Sequence, residues 1–422
     1  MFDLLAPDGL GFAFGGVFGK RSAGNSCLTA ARRQESRCKL QKLRTYSIAH
    51  PCSVNNLISS FLMKVISLLI ILCFCKTVFA QENDEPRIIA YYTGNGEIIK
   101  QYPVSKLTHI IYSFLRLRND TLVFGSDTQR NNLQQLVALK KDNPRLRIMV
   151  SIGGWGGCAP CSELFSSDDH RSTFAKTTVA LFKEYNIDGL DLDWEYPAIE
   201  GYPGHAFSPA DKDSFTELVK ALRKEMGNEY LLSFAAGGFT KYIEESIDWN
   251  AVMPVVDFVN LMTYDLVSGY STVTGHHTPL SATKKQKESI ESCVGQLLKL
   301  KVDPAKLIIG AAFYARVWEQ VPDTSHGLYQ AGHFKQGVAY KNFTAWFSDT
   351  SGYTYYWDKN AKAPWQYNSR DKLFASFDDE RSIQQKTKFI RKKNLGGIMF
   401  WELSQDKPQQ GLVEIMYQSL YR

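Results

Sequence analysis

From Arg87 onward the chain alternates between two hydrophobic rhythms. Short apolar, β-branched runs recur eight times, at 87–93, 109–115, 147–152, 187–195, 230–236, 256–264, 307–314 and 397–403. Between most of them, 129–141, 171–185, 210–226, 284–301 and 380–393 carry apolar residues at i, i+3, i+4 spacing, the signature of helices with one buried face. Strands that alternate with helices predict a parallel sheet covered by helices. Near-continuous apolar strands agree, because such a sheet is buried on both faces. Eight units over about 340 residues fit a closed (β/α)8 barrel, a TIM barrel. An open doubly wound sheet is the alternative, and the lack of a GxGxxG after the first strand weighs against it. One interval is too long for a bare loop. Between the seventh and eighth strands, 319–372 is dense in Tyr, Phe and Trp and predicts a small α+β insertion domain.

Charge separates the first 80 residues from the rest. The net charge is +6, but residues 1–80 hold ten Lys/Arg and three Asp/Glu, and the remainder holds 39 and 40. The body is close to neutral, so no nucleic-acid partner is expected. At 63–80, MKVISLLIILCFCKTVFA joins a lysine, a short apolar run and a small-residue end, which reads as a signal peptide cleaved before Gln81. The run is too short to span a bilayer comfortably. A secreted or extracellular protein without a stable membrane span is expected, with the periplasm or the cell surface as variants. Residues 1–62 read as a non-native or disordered leader, and 81–422 as one catalytic barrel with its insertion.

Past the signal segment only Cys158, Cys161 and Cys293 remain. Export permits disulfides, and Cys158-Ala-Pro-Cys161 has the spacing to close a small loop. A zinc site would need a second ligand pair, and none is visible. A redox motif is a further alternative, although its surroundings are not thioredoxin-like.

The candidate chemistry lies in one strand. Residues 188–195, DGLDLDWE, place four carboxylates in a stretch that otherwise reads as buried. Buried carboxylates are costly without partners. Side chains two apart share a face, so Asp191, Asp193 and Glu195 point into the barrel, with Glu195 at the C-terminal mouth where barrel active sites form. Carboxylates this close cannot all ionise freely, and their titration is coupled. Glu195 can then stay protonated near neutral pH and serve as a general acid in glycoside hydrolysis. All three approach from one side. Unless another strand supplies an opposing carboxylate, the substrate must bring its own nucleophile, as a 2-acetamido group can. A Mg²⁺ or Ca²⁺ site is the other reading of three acids, but no neighbouring His or phosphate loop supports it.

At this point the chain resembles glycoside hydrolase family 18, the chitinases. Asp188-x-x-Asp191-x-Asp193-x-Glu195 is similar to the family's DxxDxDxE signature. Ser151-Ile-Gly-Gly-Trp155, Met262-Thr-Tyr-Asp265, Tyr314-Ala-Arg316 and Trp401 resemble its other motifs. Ile187 stands where the family often has Phe. The resemblance implies Glu195 as acid and base, with Asp193 polarising the substrate acetamido group and turning between Asp191 and Glu195. It also implies that Tyr264 bonds that group and that Trp401 floors the sugar. Asp265, Met262, Arg316, Tyr314 and Trp155 would line the cleft, and Tyr92 and Phe114 are expected to join them as lumen residues of their own strands. Chitin or chitooligosaccharides are the implied substrates, with a retaining mechanism through an oxazolinium ion. No cofactor or metal is implied, and a monomer is expected. A catalytically silent chitin-binding lectin and an endo-β-N-acetylglucosaminidase acting on N-glycans are the competing readings.

Overall fold

The computed structural model describes residues 85–422, so the leader and signal segment expected before Gln81 lie outside the described residues. The chain enters through β1 (Arg87–Tyr92) and β2 (His109–Arg118), and the short β3 (Thr121–Val123) folds back antiparallel on β2. There follow β4 (Arg147–Gly153), β5 (Gly189–Asp193), β6 (Leu231–Gly237), β7 (Phe258–Met262) and β8 (Leu307–Ala312). Next come β9 (Tyr314–Glu319), β10 (His333–Ala339), β11 (Thr354–Asp358), β12 (Ala363–Asn368) and β13 (Leu373–Ser376), before β14 (Gly397–Trp401) returns beside β1. Parallel pairing runs β1-β2-β4-β5-β6-β7-β8-β14 and back to β1. The eight strands close a (β/α)8 barrel, as the alternating rhythms predict. Among the described residues no helix is long and apolar enough to cross a membrane.

The covering helices start where side chains can replace missing backbone partners. Ser126 accepts from the Gln129 amide ahead of the Asp127–Ala138 helix, and Asp379 and Ser382 form a reciprocal cap on Glu380–Lys393. One boundary differs from the sequence pattern. The helix predicted over 284–301 begins only at Ile290, where Ser289 accepts from the Ser292 amide. Upstream, Gln286 is held elsewhere: its Oε1 accepts from the His276 amide (3.0 Å) and its Nε2 donates to the His276 carbonyl (2.7 Å). These long-range bonds override the local helical periodicity.

Period-two alternation sorts each strand into two layers. On β5, Leu190 and Leu192 face the helices, in one apolar cluster with Phe174, Phe182, Phe215 and Leu222. Asp191 and Asp193 face the barrel interior. Deeper in the interior, Ile89, Tyr91, Ile111, Met149, Phe258, Ile308 and Met399 form a plug. Tyr92 corrects one expectation. The sequence places it in the cleft, but its parity on β1 turns it into the helix-side layer, fully buried, where its hydroxyl donates to the Asn95 carbonyl (2.5 Å). Tyr91 holds the interior position instead.

A second, antiparallel sheet in the order β10-β9-β13-β12-β11 rises from the C-terminal end of β8. It takes in residues on both sides of the aromatic 319–372 stretch. Phe313, between β8 and β9, stacks on Phe400 at 4.1 Å. The return to the barrel is pinned by a buried ion pair. Lys386 donates to Asp378 and to Thr278 Oγ1 (2.6 Å), while Asp378 also accepts from the Ala312 amide (3.0 Å) and Ser382 (2.7 Å). Neither side chain of the pair is appreciably exposed. Lys386→Met leaves Asp378 charged and buried without its partner, which costs about 3–5 kcal/mol. Thermal denaturation should show a lower melting temperature by several degrees, and an unchanged one would mean that the pair does not anchor the return.

Candidate active site

The mouth of the barrel holds a cleft of about 970 Å³. Its floor is the end of β5. Asp191 lies beneath it, fully buried, and accepts four hydrogen bonds. Tyr91 (2.7 Å) and Ser151 (3.1 Å) donate to Oδ2, while Ser233 (2.6 Å) and Asn260 (3.0 Å) donate to Oδ1. The donors come from β1, β4, β6 and β7, so one carboxylate ties half the barrel strands together. Burial raises the Asp191 pKa, and the four donors oppose that rise. Asp193 stands one step nearer the mouth. It is 4% exposed, and its Oδ1 has no hydrogen-bond partner among the described residues. Burial pushes its pKa well up, and the charges of Glu195 and Asp191 push it further.

Glu195 follows at the rim. Burial raises its carboxyl to about 7, the neighbouring Tyr196 phenol works the other way, and the charge of Asp265 adds to the rise. Close to neutral pH, the Glu195 carboxyl is therefore partly protonated. The turn beside it depends on glycine. Gly153 sits at φ +110°, and a Cβ there would lie 1.9 Å from the Asp193 carbonyl. The next amide, of Gly154, donates to that same carbonyl (2.8 Å). A Cβ on Gly154 would meet the Phe114 ring at 2.5 Å.

Asp265, after β7, faces Arg316 on β9 in a two-point pair, Nε to Oδ1 at 2.7 Å and Nη2 to Oδ2 at 2.5 Å. Burial alone would raise the Asp265 pKa. The bonds from Arg316 and the nearby buried His277, with Nδ1 3.4 Å away, outweigh it and hold the carboxyl far below the usual range. The Arg316 guanidinium also lies over the rings of Tyr314 and Phe334, each at 5.3 Å. Tyr264 is kept neutral by burial and by the surrounding ionisable groups. Its hydroxyl has only the Met399 sulfur (3.9 Å) as a partner among the described residues.

Aromatic rings frame the space. Phe114 stacks on Trp401 (5.7 Å between centroids, 19° between planes), and Tyr91 packs beside Trp401 at 5.8 Å. Trp155, 45% exposed, meets Tyr196, Tyr202 and Tyr270 at 6.3, 5.6 and 6.0 Å. Glu195, Asp193, Tyr264, Trp401, Asp265, Met262, Arg316, Tyr314, Trp155 and Phe114 all line this one cleft. Asp191 lies below it, and Tyr92 is outside it. The sequence reading missed Tyr91, Tyr196, Phe239 and Tyr270. It also missed Phe334, Val338 and Ala339, which the second sheet contributes as a wall. Tyr91 had a signal in its parity with Ile89. The wall residues had none, because only the folded sheet brings them to the mouth. Cys158 and Cys161 form a disulfide in the Trp155 loop, and Cys293 is a buried free thiol.

The fold and site together define a closed (β/α)8 barrel protein with a row of buried carboxyl groups at its mouth and an aromatic cleft above it. A sequence profile described as Glycosyl hydrolases family 18 matches residues 87–406, and the chain belongs to that family. Chitinase A1 of Niallia circulans is 30% identical over 78% of this chain and 58% of its own length, so the chain spans a little over half of that relative. A glycoside hydrolase family 18 N-acetylglucosaminidase structure from Paenibacillus barengoltzii superposes with a TM-score of 0.72 at 35% identity, covering 79% of this chain and all of that one. The Ostrinia furnacalis Group IV chitinase gives 0.74 at 26% identity, over 80% and 100%.

The Glu195 proton is directly observable. Infrared difference spectra across pH 5.5–8.5 should show a protonated-carboxyl band lost as pH rises through about 7. The band should be missing from Glu195→Gln. Asp406, which burial raises to about 6, accounts for a second band lost lower in the window, and a band with its midpoint near 7 that persists in the variant would assign the titration to another carboxyl.

Proposed function

We propose that the protein hydrolyses β-1,4-linked N-acetylglucosamine chains, chitin or chitooligosaccharides, by a retaining, substrate-assisted mechanism. The observation that carries this reading is the distribution of charge in the cleft. Glu195 holds a proton near neutral pH above the buried Asp193, whereas Asp265, the other carboxylate lining the cleft, is taken up by Arg316. A retaining reaction between two enzyme carboxylates needs one of them free as a nucleophile. With Asp265 engaged, the nucleophile falls to the substrate's acetamido oxygen. Chitinase A1 and the Ostrinia chitinase support the same substrate class by their names.

In this mechanism Glu195 gives its proton to the glycosidic oxygen as the bond to C1 breaks. The acetamido oxygen of the same sugar attacks C1 from the opposite face, forming an oxazolinium ion. Asp193 accepts the acetamido N–H through its unpartnered oxygen and orients the group for attack. Tyr264, short of other partners, donates to the acetamido group. Trp401 carries the apolar face of the sugar. Water then adds to C1 as the C1–oxygen bond of the oxazolinium ion breaks and the acetamido group re-forms, the water passes a proton to the Glu195 carboxylate, and two inversions give retention. The neutral acid is required, so kcat/KM falls about tenfold per unit as pH rises above the Glu195 value of about 7.

Export belongs to the same reading: residues 63–80 would be removed after Ala80, and the Cys158–Cys161 disulfide suits an oxidising compartment. Mass spectrometry of secreted protein should find Gln81 at the N-terminus. A retained 63–80 segment would count against cleavage.

Hydrolysis of chitotetraose, followed by NMR, tests the chemistry. The β-anomer should appear first. Glu195→Gln should lower kcat roughly 10²–10⁴-fold with oligosaccharide binding retained, and Asp193→Asn should lower it by about 10²-fold or more. A small effect of Asp193→Asn would argue against acetamido participation. The Paenibacillus neighbour favours one specific variant of the reading. Release of monosaccharide alone would make this protein an N-acetylglucosaminidase, and binding without cleavage would make it a lectin.

A further inference from the structure

The segment carrying Trp155 has a loose sequence and fixed ends. Gly153, Gly154, Gly156 and Gly157 surround the tryptophan, and three of them have φ of +110°, +79° and +87°. Glycine has the widest backbone freedom, so such a stretch orders only when something holds it at both sides. On one side β4 and the Gly154–Asp193 backbone bond do so. On the other, the Cys158–Cys161 disulfide begins one residue after Gly157. Both cysteines are buried, and Cys161 starts the single-turn helix Cys161–Leu164. That turn leads into Phe165, which packs on Phe174 (5.2 Å) and on Trp194 (5.9 Å), the residue before Glu195.

The same turn holds a neighbouring loop. Ser162 Oγ donates to Asp211 Oδ1 (2.7 Å), and Asp211 Oδ2 accepts the Ser208 amide (2.8 Å). Asp211 thereby fixes the loop between β5 and the Asp211–Met226 helix. This loop carries Tyr202, edge-on to Trp155 at 5.6 Å and backed by His205 at 4.8 Å. A bridge between residues three apart closes a short ring, so it restricts the unfolded chain less than a long-range disulfide would. Its main consequence is local.

We propose that the Cys158–Cys161 disulfide is a positioning element for substrate length. It anchors the end of the turn that carries Trp155, and holds Tyr202 through Ser162 and Asp211, as a rigid aromatic rim for sugar units beyond the one over Trp401. This rests on the reading of the cleft as a chitooligosaccharide site. A preordered rim binds without first having to order its own side chains and loop, and that difference falls on KM rather than on the chemical step.

The test uses the secreted protein with the pairs Cys158→Ser/Cys161→Ser and Cys158→Ala/Cys161→Ala, and with Trp155→Ala, all checked by thermal melting. Kinetics are measured on a methylumbelliferyl chitobioside and on chitohexaose. Both cysteine pairs should raise KM for chitohexaose about 3- to 10-fold, with kcat and the short substrate nearly unchanged. Combining either pair with Trp155→Ala should cost less than the two effects multiplied, because both act on one rim. Hydrogen exchange in 153–165 and in the Tyr202 loop, 198–210, should accelerate in the cysteine variants without change elsewhere. Unchanged KM on chitohexaose in folded variants, equal losses on both substrates, or independent effects with Trp155→Ala would each overturn the proposal. Failure of the wild-type protein to cleave or bind chitohexaose would overturn the underlying reading, and this proposal with it.

Discussion

Desolvation of carboxylates on β5 is the constraint around which the barrel mouth is arranged. A carboxylate removed from water either finds donors, meets a cation or takes up a proton. The three aligned acids use these outcomes unequally. Asp191 receives four hydroxyl and amide donors from four other strands. Asp193 keeps one oxygen unpartnered. Glu195 meets its burial by holding a proton up to about pH 7. No lysine or arginine makes an ion pair with any of the three among the described residues. Such a cation would favour the ionised forms and remove the proton that the proposed chemistry uses.

The donors of Asp191 also bear on register. Each sits at an interior position of its own strand, and a one-residue slip of any strand would turn its donor outward. Buried polar networks of this kind are demanding, because a partly satisfied one is worse than an apolar core. The network therefore links the alignment of β1, β4, β6 and β7 to the acid row. The acid row and the strand register rest on the same side chains.

Much of this was legible in the sequence, for reasons that differ by residue. The strand rhythm gave the barrel, because eight apolar runs leave few other closed arrangements. The alternation Asp191, Asp193, Glu195 gave the face of the acid row, because strand geometry is local. The same alternation should have distinguished Tyr91 from Tyr92. The pair is adjacent and chemically alike, and only the parity set by Ile89 separates them. The start of the helix at Ile290 was hidden because Gln286 is recruited by His276, ten residues upstream. Phe334, Val338 and Ala339 were hidden more thoroughly. They reach the mouth through antiparallel pairing of β10 with β9, and nothing within either strand announces the other. Local periodicity reports what a residue does within its own element, and long-range pairing decides which elements meet.

The join between the second sheet and the barrel brings these points together. β9 leaves the end of β8 after one residue, so its position is set by the barrel strand. Arg316 then reaches back to Asp265 at two points, in a setting where a planar guanidinium fits a carboxylate closely. The pair braces the wall of the cleft. It also stabilises the ionised form of Asp265 far below the usual carboxylate range. A fixed negative charge there raises the Glu195 pKa, since a like charge disfavours ionisation of its neighbour. Glu195 is therefore protonated partly because Asp265 is not. If Arg316 were absent, the buried Asp265 would tend to take up a proton of its own, and its contribution to holding the proton on Glu195 would weaken. One ion pair thus couples the placement of the wall to the protonation of the acid, even though neither of its members belongs to the acid row.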